Sequence, residues 1–362
     1  MKENKNIIFK FLPEKGKSFL KNIKNSNSLF ICTIAHTETC KIPGVSAAGA
    51  SIDLIDYTPA ADVEAIYYGK AYCLEKIPEN PLGPPSPVII TMASLELLKI
   101  PAIIINAGVK VKPLAPMIVV NEKYGENIEN GNALMHLDLE KIHNYAKILA
   151  KEFSKTYDCI IFGESVPGGT TTAMALINAL GVKSENQVSG SMPTNNHQIK
   201  KKVVEKALSY IKDKDSIYDK IKKICDPMQP FQAFFAIEAS RLGVKVLLAG
   251  GSQMIAVAGL IKALNYNHID ENICIATTKW VTEDKYSDLV AIMKNLKLEI
   301  PLISSNLDFS VSKYKNLQLY EEGYVKEGVG AGALACQVFN SKNIKNNEFV
   351  KKIEKIYEKI YL

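Results

Sequence analysis

Short, continuously apolar runs rich in isoleucine and valine recur along the chain, each ending in a turn that holds glycine or asparagine. The runs at Leu29–Ala35, Pro87–Thr91, Ala102–Asn106, Met117–Val120, Cys159–Phe162, Val244–Leu248 and Ile273–Thr277 predict strands. None alternates apolar with polar positions, so both faces of each strand are expected to be covered, as in a parallel sheet. Between them, helical patterns lie at Leu139–Phe153, Thr170–Leu180, His197–Ile211, Gln229–Leu242, Gln253–Leu264 and Lys285–Leu296. Strand, turn and helix alternate, which predicts a doubly wound α/β sheet with ligands beyond the carboxyl ends of its strands. Residues 1–26 and 341–362 read instead as amphipathic helices, a small helical lobe beside a large α/β domain of residues 27–340. Asp213–Asp226, polar and rich in lysine, reads as a helix–helix connection.

Composition changes this picture in three ways. The 362 residues are 47% hydrophobic and 23% charged, which is enough apolar material for a large packed core. The net charge of +6 is almost wholly lysine, with Arg241 the single arginine. Clustered basic residues interleaved with aromatics are missing, so nucleic acid is not an expected partner. Any anion site must then use backbone N–H groups, hydroxyls and lysine rather than arginine forks. The seven cysteines are odd in number and contain no CxxC pair, the usage of a reduced, cytosolic protein. The first residues lack an apolar core of signal-peptide length and no run approaches a membrane span, so a soluble, cytoplasmic protein is expected.

Candidate chemistry gathers at turns. Gly163–Gly181 follows a buried strand and opens a helix: Gly168 and Gly169 permit a tight turn, and Thr170, Thr171 and Thr172 fill the first helical turn. Unpaired N–H groups and hydroxyls there suit a phosphate, though threonine caps on an ordinary turn are the competing reading. No Lys-Ser/Thr pair follows the glycines, so this is not a Walker loop. Glu164 stands at the strand end just before it, beside a ligand or on the surface. Downstream, Glu327 precedes Gly328 and Gly330, and partial desolvation would suit it to accept a proton. Gly250 and Gly251 form another strand–helix turn, for a ligand or merely for close packing. Asn106 with Gly108, and His36 with Glu38, follow further strands as weaker candidates for contacting a base. Lys200 begins a long helix after a Pro/Asn-rich loop, on a solvated face or against a phosphate. His136, His143, His197 and His268 show no metal-ligand spacing, and no metal is expected.

At these residues the sequence resembles the nicotinate-nucleotide–dimethylbenzimidazole phosphoribosyltransferase family, in its divergent archaeal-type branch. Gly163–Gly181 is similar to that family's Gly-Glu-x-x-x-Gly-x-Thr-Thr signature, and Glu327-Gly328-x-Gly330 to its Gly-Glu-Gly-x-Gly-Ala loop, with Lys326 where the family has glycine. Val188–Leu208, Leu247–Gly259 and Asn106–Val109 resemble further family segments. The resemblance implies a Rossmann-like domain with a small helical domain, working as a homodimer. It implies transfer of ribose 5-phosphate from nicotinate mononucleotide to an azole base, in the lower-ligand assembly of cobamides, without a cofactor. Glu327 would then be the general base, Glu164 would act at the ribose, and the Gly/Thr turn would hold the phosphate. Dimethylbenzimidazole, adenine and other purines all remain open as acceptor. Two alternatives stand beside this: a phosphoribosyltransferase using a pyrophosphate-activated donor, against which the lone Glu164 counts, and a non-catalytic nucleotide-binding regulator, which would not need both glutamates.

Overall fold

The computed structural model describes residues 5–46, 51–75, 77, 83–190, 197–264 and 270–362. Eight strands form one sheet: β1 (Ile7–Phe11), β2 (Ser28–Ala35), β3 (Ala102–Gly108), β4 (Ile118–Val119), β5 (Cys159–Ser165), β6 (Lys245–Ala249), β7 (Ile273–Thr278) and β8 (Leu302–Ser305). Their spatial order is β1-β8-β7-β6-β5-β2-β3-β4, and every pairing is parallel except β1 against β8.

The continuous apolar runs follow from burial on both faces. In β2, Leu29, Ile31 and Ala35 join one core, while Phe30, Cys32 and Ile34 join the other. The first core is roofed by α4 (Leu139–Phe153), α5 (Gly169–Ala179), α6 (His197–Leu208), α7 (Ile217–Ile224), α8 (Met228–Arg241), α9 (Ser252–Ala263) and α11 (Leu289–Asn295). The second is covered by α1 (Pro13–Ile23), α2 (Thr58–Tyr68), α3 (Val88–Leu98), α13 (Ala331–Ser341) and α14 (Asn346–Tyr361), with α10 (Lys279–Thr282) and α12 (Lys315–Gln318) at its rim. Each fully buried Leu, Ile or Phe contributes roughly 1.5–3 kcal/mol, so either face is a large stabilising layer.

Four expectations are corrected. Pro87–Thr91 is not a strand but the start of α3, whose residues 88–94 are all buried. The first two turns of this helix, packed among α2, α13 and α14, have no polar face, and a short apolar run cannot then reveal its period. Within residues 1–26, β1 is a strand that caps the sheet edge, and only α1 is helical. Asp213–Asp226 contains α7, which starts at a Ser216–Asp219 capping box. Residues 285–288 precede α11 rather than forming its first turn. The last strand, β8, has no counterpart among the expected strands.

The order in which strands are added to the sheet reverses between β2 and β5. From β2 the strands proceed outward through β3 and β4; from β5 they proceed the other way through β6, β7 and β8. In doubly wound sheets a crevice opens at this switch point, beyond the strand ends. His36 follows β2 and Glu164 lies at the end of β5, so both stand at that rim.

Candidate active site

Glu164 faces Thr33 across the β5–β2 pair and is 7% exposed. The Gln253 amide nitrogen, from the first turn of α9, donates to both of its carboxylate oxygens, 3.0 Å from Oε2. Two further buried acids flank it. Asp226 accepts from the Thr172 hydroxyl at 2.5 Å and from the N–H groups of Met228 and Gln229. On the other face, Asp62 accepts from Ser165 at 2.7 Å and Ser86 at 2.9 Å. Burial, then the charges of Asp226 and Glu327, push the Glu164 carboxyl well above its ordinary range. Burial likewise raises Asp226 and Asp62, each to about 6. Acids held this way favour a cationic partner, because an arriving positive charge relieves their mutual repulsion and desolvation.

The second glycine run docks directly on this strand end. Val329 N–H donates to the Glu164 carbonyl at 3.0 Å, and Thr91 Oγ1 donates to the Val329 carbonyl at 2.8 Å. A side chain on Gly330 (φ 75°) would meet the Phe30 ring at 2.7 Å and the backbone of Gly163 beyond it. Only glycine permits that approach. Glu327 is seated by four hydrogen bonds. Its Oε2 accepts from Thr277 Oγ1 (2.8 Å) and Thr278 N (2.9 Å), and its Oε1 from Gly328 N and Gly332 N (both 3.1 Å). Burial raises its carboxyl while these four donors hold the rise back, and Glu327 keeps some solvent exposure. A carboxylate fixed in place, partly desolvated and open on one side is well suited to accept a proton. Both sequence-predicted glutamates therefore lie together at one end of the sheet within a single chain.

A third cluster lies at the start of α9. Lys200 is 4% exposed and has no hydrogen-bond or carboxylate partner among the described residues. Burial, then the neighbouring Lys326 ammonium, lowers its pKa to about 8 against the opposing pull of Asp284. Lys326 and Asp284, each with 3% side-chain exposure, pair at 2.7 Å. Ser189 donates to Asp284 at 3.1 Å through its hydroxyl and to Ser252 Oγ at 2.9 Å through its N–H. The N–H groups of Gly251, Ser252 and Gln253 find no acceptor among the described residues, so the helix end presents partial positive charge here. Among the described residues, two lysines face one aspartate here, so positive charge outweighs negative beside the start of α9.

The Gly168–Thr172 turn is different in character. Gly169 and Thr171 donate their N–H groups back to Val166 and Gly168, and the Thr172 hydroxyl is taken up by Asp226 and the Gly169 carbonyl. Thr171 Oγ1 is buried without a partner among the described residues, and Thr170 is partly exposed. Among the described residues no lysine pairs with the acids that surround this turn, so its charge is less favourable to a phosphate than that beside α9.

The weaker candidates are partly occupied locally, with His36 Nδ1 and Asn106 Nδ2 buried and lacking a partner among the described residues. Asn106 Oδ1 closes a turn by accepting from Gly108 N (2.8 Å) and Val109 N (3.2 Å). His36 Nε2 lies 3.3 Å from Glu38 and 3.6 Å from Asp56, with Cys40 Sγ at 4.0 Å. His36, Cys40 and Asp56 are close enough to hold a cation, but Lys41 sits 2.7 Å from Asp56 and Lys110 2.7 Å from Glu38. Both carboxylates are thus already neutralised, and burial of His36 lowers its pKa. The Pro/Asn-rich loop before Lys200 (residues 191–196) and His268 lie outside the described residues.

Residues 96–290 match the model of a phosphoribosyltransferase family, more than half of the chain, with Glu164 and the α9 turn inside the match and Glu327 beyond it. The chain belongs to that family. This phosphoribosyltransferase, a pentosyl-transferring enzyme, is 41% identical over 340 residues to a UPF0284 protein of Sulfurisphaera tokodaii, covering 93% of the chain and 95% of the relative. A UPF0284 protein of Archaeoglobus fulgidus is 38% identical over 348 residues, covering 96% and 98%. Two solved structures from Thermus thermophilus share the fold at 14% identity. CobT superposes with a TM-score of 0.62 over 91% of this chain and 84% of its own. A nicotinate-nucleotide-dimethylbenzimidazole phosphoribosyltransferase does so with 0.63 over 96% and 92%. No helix among the described residues is long and apolar enough to cross a membrane.

Sequence reasoning missed Asp226, Asp62, Gln253, Lys326 and Asp284. Gln253 had a signal, since it stands two residues after Gly250-Gly251, where a helix start aims side chains at the rim. Asp226 directly before Pro227 is a typical helix-start pair. Asp62 and Asp284 carry no local mark; only the fold brings them in.

Proposed function

We propose that this enzyme transfers ribose 5-phosphate from nicotinate mononucleotide to a nitrogen base (dimethylbenzimidazole, adenine or a similar azole), releasing nicotinate, in cobamide lower-ligand assembly. The observation that carries this reading is the seating of Glu327 beside Glu164 through the Val329–Glu164 backbone bond. Breaking the bond from ribose C1′ to the pyridinium nitrogen leaves the bonding pair on nicotinate, which neutralises the ring's own charge. Positive charge develops at C1′; the cationic ring of the bound donor draws the raised Glu164 pKa back down, and the carboxylate opposite C1′ lowers the barrier. A ring nitrogen of the acceptor forms the new bond, and its N–H proton passes to Glu327. The phosphate is taken by Lys200 and the N-terminus of α9, while Thr170 and Thr171 face the ribose hydroxyls. No cofactor takes part, and the protein works as a cytoplasmic homodimer.

The test is incubation with nicotinate mononucleotide and a panel of bases, followed by mass spectrometry. Release of nicotinate with one new riboside phosphate supports the reading. Transfer only from a pyrophosphate-activated donor with magnesium would replace it.

A further inference from the structure

The loop that carries Glu327 contains a residue that its chemistry as a base leaves unexplained. Lys326 is 3% exposed, and its backbone is left-handed (φ 63°), as is that of Val325 (φ 65°). A left-handed turn costs roughly 1–2 kcal/mol per non-glycine residue, which glycine at this position would avoid. The lysine therefore brings something glycine does not. Its ammonium pairs with Asp284, which Ser189 links to Ser252 at the start of α9, and the charges of Lys200 and His197 lie close by. Lys326 O accepts from Thr278 Oγ1 at 2.6 Å, in the strand end that also seats Glu327. Asp284 is the one carboxylate described among these groups, and it is shared by Lys326 and Ser189.

We propose that Lys326 is the residue that selects a phosphorylated donor: with Lys200 and the α9 N-terminus it binds the terminal phosphate monoester, which takes over the ammonium now held by Asp284. This deepens the reading above and rests on it for the identity of the donor. A phosphate carries two negative charges at neutral pH against Asp284's one, so it competes well for a desolvated ammonium. An unphosphorylated nucleoside would leave the Lys326–Asp284 pair closed and bring Lys200 no opposite charge. Selectivity then comes from the burial of unmatched charge.

The experiment compares nicotinate mononucleotide with nicotinate riboside, by calorimetry and by turnover, in wild type, Lys326→Met and the double variant Lys326→Met/Asp284→Asn. The double variant removes both charges and guards against unfolding by an orphaned Asp284. The expected result is a loss of about 10- to 100-fold in mononucleotide affinity and kcat/KM for the double variant, the range for one charged hydrogen bond. Riboside should change less than about threefold on the same reasoning. Equal losses for both compounds, or none for either, would overturn the role of Lys326. Absence of turnover in wild type would instead sink the proposed reaction, since calorimetry with the mononucleotide and inorganic phosphate still reads Lys326.

Discussion

Two helices begin at the rim of the sheet after the same kind of glycine turn, and their surroundings carry opposite charge. At α5, Gly168 and Gly169 lead into a ring of acids: Glu164, Asp226 and, across the strand, Asp62. At α9, Gly250 and Gly251 lead into Lys200, Lys326 and, among the described residues, one acid, Asp284. A helix start offers N–H groups wherever it occurs; the side chains brought in by distant elements decide what it binds. Here the acid end suits a developing cation at the sugar and the basic end suits a phosphate. A mononucleotide laid from one to the other has its anomeric carbon at the acids. Gln253, in the first turn of α9 and bonded to Glu164, joins the two ends.

The largest expected effect breaks the acid end at its base. Glu327→Gln should lower kcat by about 10²–10⁴, with mononucleotide affinity nearly unchanged, as read by rapid-quench kinetics and calorimetry. Glu164→Gln should cost about 10²–10³ in kcat. It should also raise thermal stability at pH 8 but not at pH 4. The folded-state pKa of Glu164 lies above its unfolded value, so the cost of ionising it in the folded protein appears as pH rises through that range. A melting series across pH would detect this, and a destabilised variant at pH 8 would contradict it.

At the basic end, Lys200→Met should weaken the mononucleotide about 10- to 100-fold at pH 7 while leaving the melting temperature equal or higher. The folded pKa of Lys200 is about 8, below that of a lysine in the unfolded chain, so the buried ammonium costs stability below pH 8 and less above it. In wild type, affinity should fall as pH rises beyond 8, roughly tenfold per unit, because the phosphate needs the ammonium charged. The smallest effect sharpens the contrast. Asp226→Asn should shift the acidic limb of the kcat profile to lower pH, because it removes a charge that raises Glu164. An unmoved limb would separate Asp226 from the reacting centre.

Much of this arrangement was legible in the chain. Strands buried on both faces announce themselves as unbroken apolar runs, as β2, β5 and β6 do, and glycines before a helix mark turns at the rim. Glu164 and Glu327 could be named because each adjoins such a turn. What stayed hidden depends on depth or distance. The first two turns of α3 are buried on every side and lost their period; β1 is short and joins the sheet antiparallel at its edge. Asp226 reaches Thr172 across 54 positions and Asp284 reaches Lys326 across 42, so neither charge balance is visible from local spacing. The acids beside the α5 turn could not be placed from sequence, so the charge that sets it apart from the α9 turn was hidden.

The most direct test of this division of charge is a crystal structure of the Glu327→Gln protein holding nicotinate mononucleotide. The account predicts the phosphate against Lys200 and the first turn of α9, with ribose C1′ beside Glu164. A phosphate seated on the Gly168–Thr172 turn, with Lys200 out of reach, would contradict it.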